Sequence, residues 1–201
     1  MFPGRVRSLT CPGVAFLTLA VVGSVLSALG CQPPRSQAGS LTSIPSAPRP
    51  AVIALAEGER RFLRGGAAPL LIKIDPLNTG SQRMVLGSSD LPPGDAIGMH
   101  RHLREDEILI VLRGSAHVEL AGKKYEAGPG GAIYIPQGTC IAVANAGRDT
   151  LTTFFIFSSP GFEQALREVS SRAGDPPKPV SPADRAAAFH RGHAVANPAD
   201  C

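Results

Sequence analysis

Two histidines and one glutamate are the residues of this sequence whose types and spacing indicate metal chemistry. They are His100, His102 and Glu107, in the stretch between Gly94 and Gly114. Successive side chains of a β-strand point to opposite faces, so two histidines separated by one residue share a face. Glu107 follows after a short turn and begins the next segment of strand-like sequence. Two imidazoles and a carboxylate that converge on one interior form a ligand set for Fe(II), Mn(II) or a related divalent ion.

The elements expected to position these residues are short β-strands. Segments rich in Val, Ile and Leu recur between residues 51 and 170 and are separated by Gly, Pro or Asn, which is typical of an all-β sandwich or barrel. The predicted strands are Val52–Leu55, Arg61–Leu63, Leu70–Ile74, Gln82–Gly87, Ala96–His102, Glu107–Arg113, Ala116–Leu120, Lys123–Ala127, Ala132–Ile135, Ile141–Asn145 and Leu151–Phe157. Two short helices are predicted after them, one capped by Ser159 and one running from Ser181 to His190.

The spacing around the candidate ligands resembles the first motif of the cupin superfamily, and a second motif follows it. The first motif comprises Gly94, His100, His102, Glu107 and Gly114, and the second comprises Gly130, Pro136, Gly138 and Asn145. The resemblance covers roughly Gln82 to Ser158, and the segment after it is similar to that of single-domain cupins of the quercetin-dioxygenase-like group. It implies an all-β fold, the cupin jelly-roll (double-stranded β-helix) barrel with short C-terminal helices, which often forms homodimers.

Ile141 stands where the cupin family places its fourth metal ligand, a histidine. Isoleucine cannot bind a metal, so the site implied by the resemblance is reduced to His100, His102 and Glu107. The expected cofactor is a divalent metal ion, Fe, Mn, Zn or Ni. Ile141 and Tyr134 are the candidate ligand-binding residues of the second motif. Tyr134 could act as a proton donor, or it could pack with its hydroxyl in solvent.

Three functions are compatible with these residues. In the first, three protein ligands hold a divalent metal and leave positions open for a small-molecule substrate, as in a dioxygenase or isomerase of the cupin type. In the second, the barrel binds a small ligand without metal. In the third, it is a scaffolding element without catalysis, because a fold does not determine a function. The first is favoured because all three ligand residues are present.

The beginning of the chain resembles the export signal of a bacterial lipoprotein. Arg5 and Arg7 precede the apolar run Val14–Leu29, which is the pattern of a secretory signal and is short for a membrane span. The small residues before Cys31 resemble a lipobox, which implies lipidation of Cys31. Gln32 then favours sorting to the outer membrane, facing the periplasm. A plain signal peptide and an uncleaved anchor are the alternatives.

These features predict a domain organisation and a compartment. We expect a signal peptide at residues 1–30, a lipidated cysteine with a Pro/Ser-rich tether at 31–50, a cupin domain at 51–170, and a C-terminal tail with a short helix at 171–201. Cys140 and Cys201 would then lie in an oxidising compartment. They either form a disulfide or remain a buried Cys140 and a free Cys201.

The positive charge of the chain does not indicate nucleic-acid binding. The 201 residues carry a net charge of +4, and loss of residues 1–30, whose charges are Arg5 and Arg7, lowers it to +2. The remaining Lys and Arg residues are scattered among acidic residues and form no basic block. The expected partners are a small-molecule ligand, a membrane through the lipid anchor, and a second copy of the chain.

Overall fold

Two antiparallel β-sheets form most of the part of the chain that the structure describes. The structure is a computed structural model, and it describes residues 47–63, 68–196, 199 and 201. The strands are β1 (Glu59–Leu63), β2 (Ala68–Ile74), β3 (Val85–Leu91), β4 (Ala96–His102), β5 (Glu107–Arg113), β6 (Ala116–Leu120), β7 (Lys123–Ala127), β8 (Ala132–Ile135), β9 (Ile141–Asn145), β10 (Leu151–Phe157), β11 (Ser171–Arg172) and β12 (Ala194–Val195). The helices are α1 (Phe162–Glu168) and α2 (Pro182–Arg191).

The two sheets enclose the core of a jelly-roll barrel, which confirms the predicted all-β fold. One sheet has the strand order β11-β1-β2-β3-β10-β5-β8, and the other has the order β12-β4-β9-β6-β7. Alternation along β5 buries Glu107, Leu109 and Val111 and leaves Ile108 38% exposed. Inward-facing side chains of both sheets form one apolar cluster, to which both helices contribute. The inner faces of β4 and β5 therefore point into this apolar interior.

The strand predictions hold best where the motifs lie. All seven strands predicted between Ala96 and Phe157 have the predicted bounds. The predicted strand Val52–Leu55 is wrong, because the backbone carbonyls of Ala54 and Leu55 accept hydrogen bonds from Lys73 Nζ, at 2.8 and 2.7 Å. Carbonyls that surround one ammonium group are not available to a β-ladder. The prediction at Gln82–Gly87 is displaced, since β3 begins at Val85.

The two helices differ in how well their starts were predicted. Helix α2 is capped as expected by Ser181, whose side chain accepts a hydrogen bond from Asp184 N at 3.0 Å. Helix α1 instead begins after Gly161, which makes no side-chain cap, so the predicted cap at Ser159 is wrong. Glu163 Oε2 accepts a hydrogen bond from Gly161 N, at 2.6 Å, and so supports this turn in place of a cap.

The C-terminal segment is attached to the barrel at several points. Strand β12 pairs with β4, placing Ala194 opposite His102. The rings of Phe162 and Phe189 join the two helices with their centroids 5.1 Å apart. Cys140 and Cys201 form a disulfide bond, which confirms the paired alternative. Part of the predicted tail, in α2, in β12 and at Cys201, therefore contributes to the end of the barrel where β4 carries its histidines.

Two expectations concern segments outside this description. The proposed signal and Cys31 lie outside the described residues, as does most of the predicted tether. Among the described residues, no helix is long and apolar enough to cross a membrane.

Candidate metal centre

The fold brings the three predicted metal ligands together. His100 and His102 lie on β4 and point into the barrel, and Glu107 is the first residue of β5. One potential ligand atom from each residue lies within 4.8 Å of the other two. His102 Nε2 is 3.4 Å from Glu107 Oε2. Strand alternation places His100 and His102 on one face of β4, and the packing of the two sheets brings Glu107 of β5 to the same point.

Burial and one hydrogen bond define the state of His100. The residue is 8% exposed, and its Nδ1 donates a hydrogen bond to the carbonyl oxygen of Gly98 at 2.8 Å. A carbonyl can only accept, so Nδ1 carries the proton, and Nε2 of the neutral ring is the nitrogen that would bind a metal. Burial lowers the pKa of His100, and the nearby Glu107 carboxylate partly opposes that shift. The net lowering of the pKa favours the neutral imidazole, the form that binds a metal.

The atoms around this point fit a divalent metal ion. His102 is 2% and Glu107 is 5% exposed. Both ring nitrogens of His102 and Oε2 of Glu107 are buried and make no hydrogen bond to any described residue. Leaving buried polar atoms without partners is costly, and a cation would satisfy one ring nitrogen of His102 together with the carboxylate oxygen of Glu107. Metal–ligand bonds of about 2.1 Å place the ligand atoms of one ion about 3 to 4 Å apart, so only small side-chain movements are needed.

The fourth position of the family motif is filled by the hydrocarbon side chain of Ile141. This residue is fully buried, and its backbone pairs with that of His100 between β9 and β4. It belongs to the apolar core, and it does not line the cavity described below. The neighbouring Cys140 is held in its disulfide with Cys201 and is not available as a substitute ligand. Among the described residues, the candidate site therefore has three protein ligands.

Tyr134 lies on the outside of the barrel. Its side chain is 58% exposed, and its hydroxyl donates a hydrogen bond to Asp106 Oδ2 at 3.2 Å. The negative charge of Asp106 raises the pKa of the phenol. Tyr134 does not line the cavity that contains the three ligands. This position favours the alternative in which Tyr134 packs with a solvated hydroxyl.

A cavity of about 400 Å³ lies against the three candidate ligands. Its walls come from the inner faces of both sheets and from the two helices, and they are mostly aliphatic and aromatic. Phe157 and Phe162 contact His102, with ring centroids 4.9 and 4.5 Å away. An apolar space of this size with a few convergent polar groups is typical of a small-molecule site.

A buried carboxylate behind the candidate ligands was not predicted from the sequence. Glu105 is 1% exposed, and its Oε1 lies 3.7 Å from Nδ1 of His193 in the turn after α2. A Cβ at Gly161 would lie 3.1 Å from Glu105 Oε1 and 3.2 Å from His193 Nδ1, so a larger residue there would have to displace this pair by a few tenths of an ångström. The side chain of His193 is 32% exposed, and its backbone carbonyl accepts a hydrogen bond from Leu103 N. Residues so distant in sequence carry no local signal of this contact.

The burial of Glu105 predicts how the stability of the protein depends on pH. Burial raises the pKa of Glu105 above its ordinary value of 4.5, and His102 and His193 only partly oppose the shift. Above pH 4.5, Glu105 therefore stays protonated in the folded protein where it is ionised in the unfolded chain. Because the folded state then binds more protons than the unfolded state, the stability of the folded protein decreases as the pH rises. In metal-free protein, we expect the melting temperature of Glu105→Gln, relative to the wild type, to increase from pH 4 to pH 7.

Glu168→Gln is the matched control. A hydrogen bond from Arg191 lowers the pKa of Glu168, which stabilises the folded protein above the ordinary pKa and is lost as the pH falls. The melting temperature of this variant, relative to the wild type, should therefore decrease with rising pH. Thermal unfolding followed by circular dichroism measures both trends. A Glu105→Gln curve parallel to that of the wild type would show that burial does not govern this carboxylate.

Comparison with known proteins agrees with the fold. Residues 87–157 match the family model described as the cupin domain. No curated protein matches the chain. Similar solved structures include KdgF from Halomonas sp., with 19% identity, a TM-score of 0.49, and coverage of 57% of this chain and 99% of that one.

Two further structures are similar to a comparable extent. A predicted oxalate decarboxylase from Thermotoga maritima is 22% identical, with a TM-score of 0.49 over 55% of this chain and 100% of that one. The polyketide cyclase RemF from Streptomyces resistomycificus is 20% identical, with a TM-score of 0.49 over 68% and 91%. At these values the neighbours carry no argument about what this chain does. The segment matched by the family model contains His100, His102 and Glu107.

Proposed function

We propose that the barrel binds a small molecule at a divalent metal ion held by His100, His102 and Glu107. The observation that carries this proposal is the convergence of three buried side chains that can bind a metal. Both ring nitrogens of His102 and Oε2 of Glu107 have no hydrogen-bond partner among the described residues. These atoms face an apolar cavity large enough for a small organic ligand. A site built only for packing would not require three such groups.

The arrangement suits a ligand that approaches the metal from the cavity. A bound divalent ion would act as a Lewis acid that polarises an oxygen of the ligand. Three protein ligands leave coordination positions for that oxygen, as in two-His, one-carboxylate sites. The carbonyl of Gly98 orients His100 by its hydrogen bond, and Phe157 and Phe162 give His102 apolar surroundings. These features favour a metal-dependent dioxygenase or isomerase of the cupin type.

The alternative function is a metal-free binding or scaffolding barrel. Ile141 favours this alternative, because a fully buried isoleucine replaces the fourth ligand of the family. The two functions differ in one measurable property, the affinity of His100, His102 and Glu107 for a divalent ion.

Metal analysis of the purified chain tests the proposal. After incubation with Mn²⁺, Fe²⁺ or Zn²⁺ and removal of the excess, we expect about one ion per chain in the wild type and less than about a tenth of that in His100→Ala/His102→Ala. Glu107→Gln preserves the shape of the carboxylate and should also lose most of the metal. His117→Ala is the matched control, because His117 lies outside the barrel with a 60% exposed side chain.

The controls separate metal binding from folding. Each variant is checked by circular dichroism, and Glu107→Gln provides the comparison if the double variant fails to fold. Equal, substoichiometric metal in the folded wild type and in folded Glu107→Gln would contradict the proposed metal centre.

We also propose that lipidated Cys31 anchors the domain in the cell envelope. The disulfide between Cys140 and Cys201 supports export, because disulfides persist mainly in oxidising compartments. In a Gram-negative bacterial host, we expect Cys31→Ala to move the protein from the membrane fraction to the soluble fraction.

The chain provides a matched control for the anchor. Cys11→Ala changes a cysteine within the same proposed signal and should leave the protein in the membrane fraction. Membrane fractionation followed by immunoblotting measures both variants. Retention of Cys31→Ala in the membrane fraction would favour an uncleaved anchor instead.

A further inference from the structure

We infer that the ligand of the barrel is a small, mostly apolar molecule with one anionic group, a carboxylate or a phosphate, and that this group pairs with Arg185 at the mouth of the cavity. This inference rests on the proposed function, in that the cavity is taken to be a small-molecule site. It adds the chemical class of the ligand and the residue that selects it.

The chemical character of the cavity wall limits the ligand. Apart from the three candidate metal ligands, the polar or charged side chains that line it are Ser89 and Arg185. The remainder of the lining is apolar and includes Phe155, Phe157, Phe162 and Phe189. A ligand that fills this space is therefore apolar along most of its length, with polar groups near Arg185 or near the candidate metal ligands.

Arg185 is carried by an element that is well attached to the barrel. Helix α2 is capped at Ser181 and packs through Phe189 against Phe162 of α1. Directly after the helix, β12 pairs with β4, the strand that carries the two candidate histidine ligands. The backbone of Arg185 is thereby held over the cavity, while its side chain remains exposed to solvent at the mouth.

The guanidinium of Arg185 has no acidic partner among the described residues. Its sequence neighbour Asp184 accepts a hydrogen bond from Ser181 Oγ at 2.7 Å, so this carboxylate is used in the cap. The arginines in the last turns of the two helices each pair with an acidic residue. Arg191 of α2 pairs with Glu168, and Nη2 of Arg167 of α1 lies 2.6 Å from Glu59 Oε2. Arg185 is therefore available to pair with an anion from outside the protein.

The geometry of a guanidinium selects oxyanions. Its planar array of N–H donors matches the two oxygens of a carboxylate or of a phosphate, and such charge-assisted pairs are stronger than neutral hydrogen bonds. An anionic group at Arg185 directs the opposite end of the ligand toward His100, His102 and Glu107, across walls that are mainly aromatic. The molecule expected is an aromatic or branched aliphatic carboxylate, or the corresponding phosphate ester.

Three probes with the same ring system test this inference. They are 2-naphthoate, 2-naphthyl phosphate and the neutral 2-naphthamide, and their binding to the chelator-treated full chain is measured by fluorescence titration. We expect at least one anion to bind the wild type about fivefold or more tightly than the amide. Arg185→Gln should remove this preference and leave binding of the amide unchanged. The tighter of the two anions identifies the carboxylate or the phosphate as the group recognised.

Arg191→Gln is the control, because it removes a positive charge from the same helix at a position that does not line the cavity. It should retain the preference for the anion. An unchanged preference in Arg185→Gln, or failure of all three probes to bind the wild type, would overturn the inference. The probes are titrated into metal-free protein, so this experiment and the metal analysis give independent results. If the protein binds metal but does not prefer the anions, only this inference is refuted. If it prefers the anions but binds no metal, only the proposed metal centre is refuted.

Discussion

The close approach of His102 and Glu107 inside an apolar barrel imposes the main constraint on this structure. Both residues are almost fully buried, and their nearest side-chain nitrogen and oxygen atoms are 3.4 Å apart. Buried polar groups without full hydrogen bonding oppose folding, so their retention requires compensation. A divalent cation would provide it, since it would bind the carboxylate and one nitrogen of each imidazole at one point. The apolar surroundings raise this cost, and the carboxylate and the imidazole lone pairs determine that a cation would offset it.

The segment after residue 160 forms part of the wall of the cavity beside the candidate metal ligands. Helices α1 and α2 contribute Phe162 and Phe189 to the cavity, and β12 lies beside the strand that carries the histidines. The disulfide of Cys201 with Cys140 attaches the end of the chain next to Ile141. The barrel thus supplies the candidate metal ligands, and the segment after residue 160 supplies much of the surface that a ligand would contact.

Sequence reasoning predicted those parts of the site that depend on local geometry. His100, His102 and Glu107 were found because strand alternation and a short turn determine their convergence. The role of Arg185 was not predicted, since its place at the cavity depends on how α2 packs against α1. The contact between Glu105 and His193 joins residues from distant parts of the chain. Tyr134 was a candidate because it belongs to the second motif, but its place in that motif does not specify a side chain within reach of the cavity.

Anomalous X-ray diffraction from crystals of the full chain grown with Zn²⁺ measures the central claim directly. If the three residues bind the metal, we expect one anomalous peak in the barrel, about 2.0–2.2 Å from Nε2 of His100, a ring nitrogen of His102 and a carboxylate oxygen of Glu107. The absence of a peak there, with the three side chains ordered in the positions described, would contradict it.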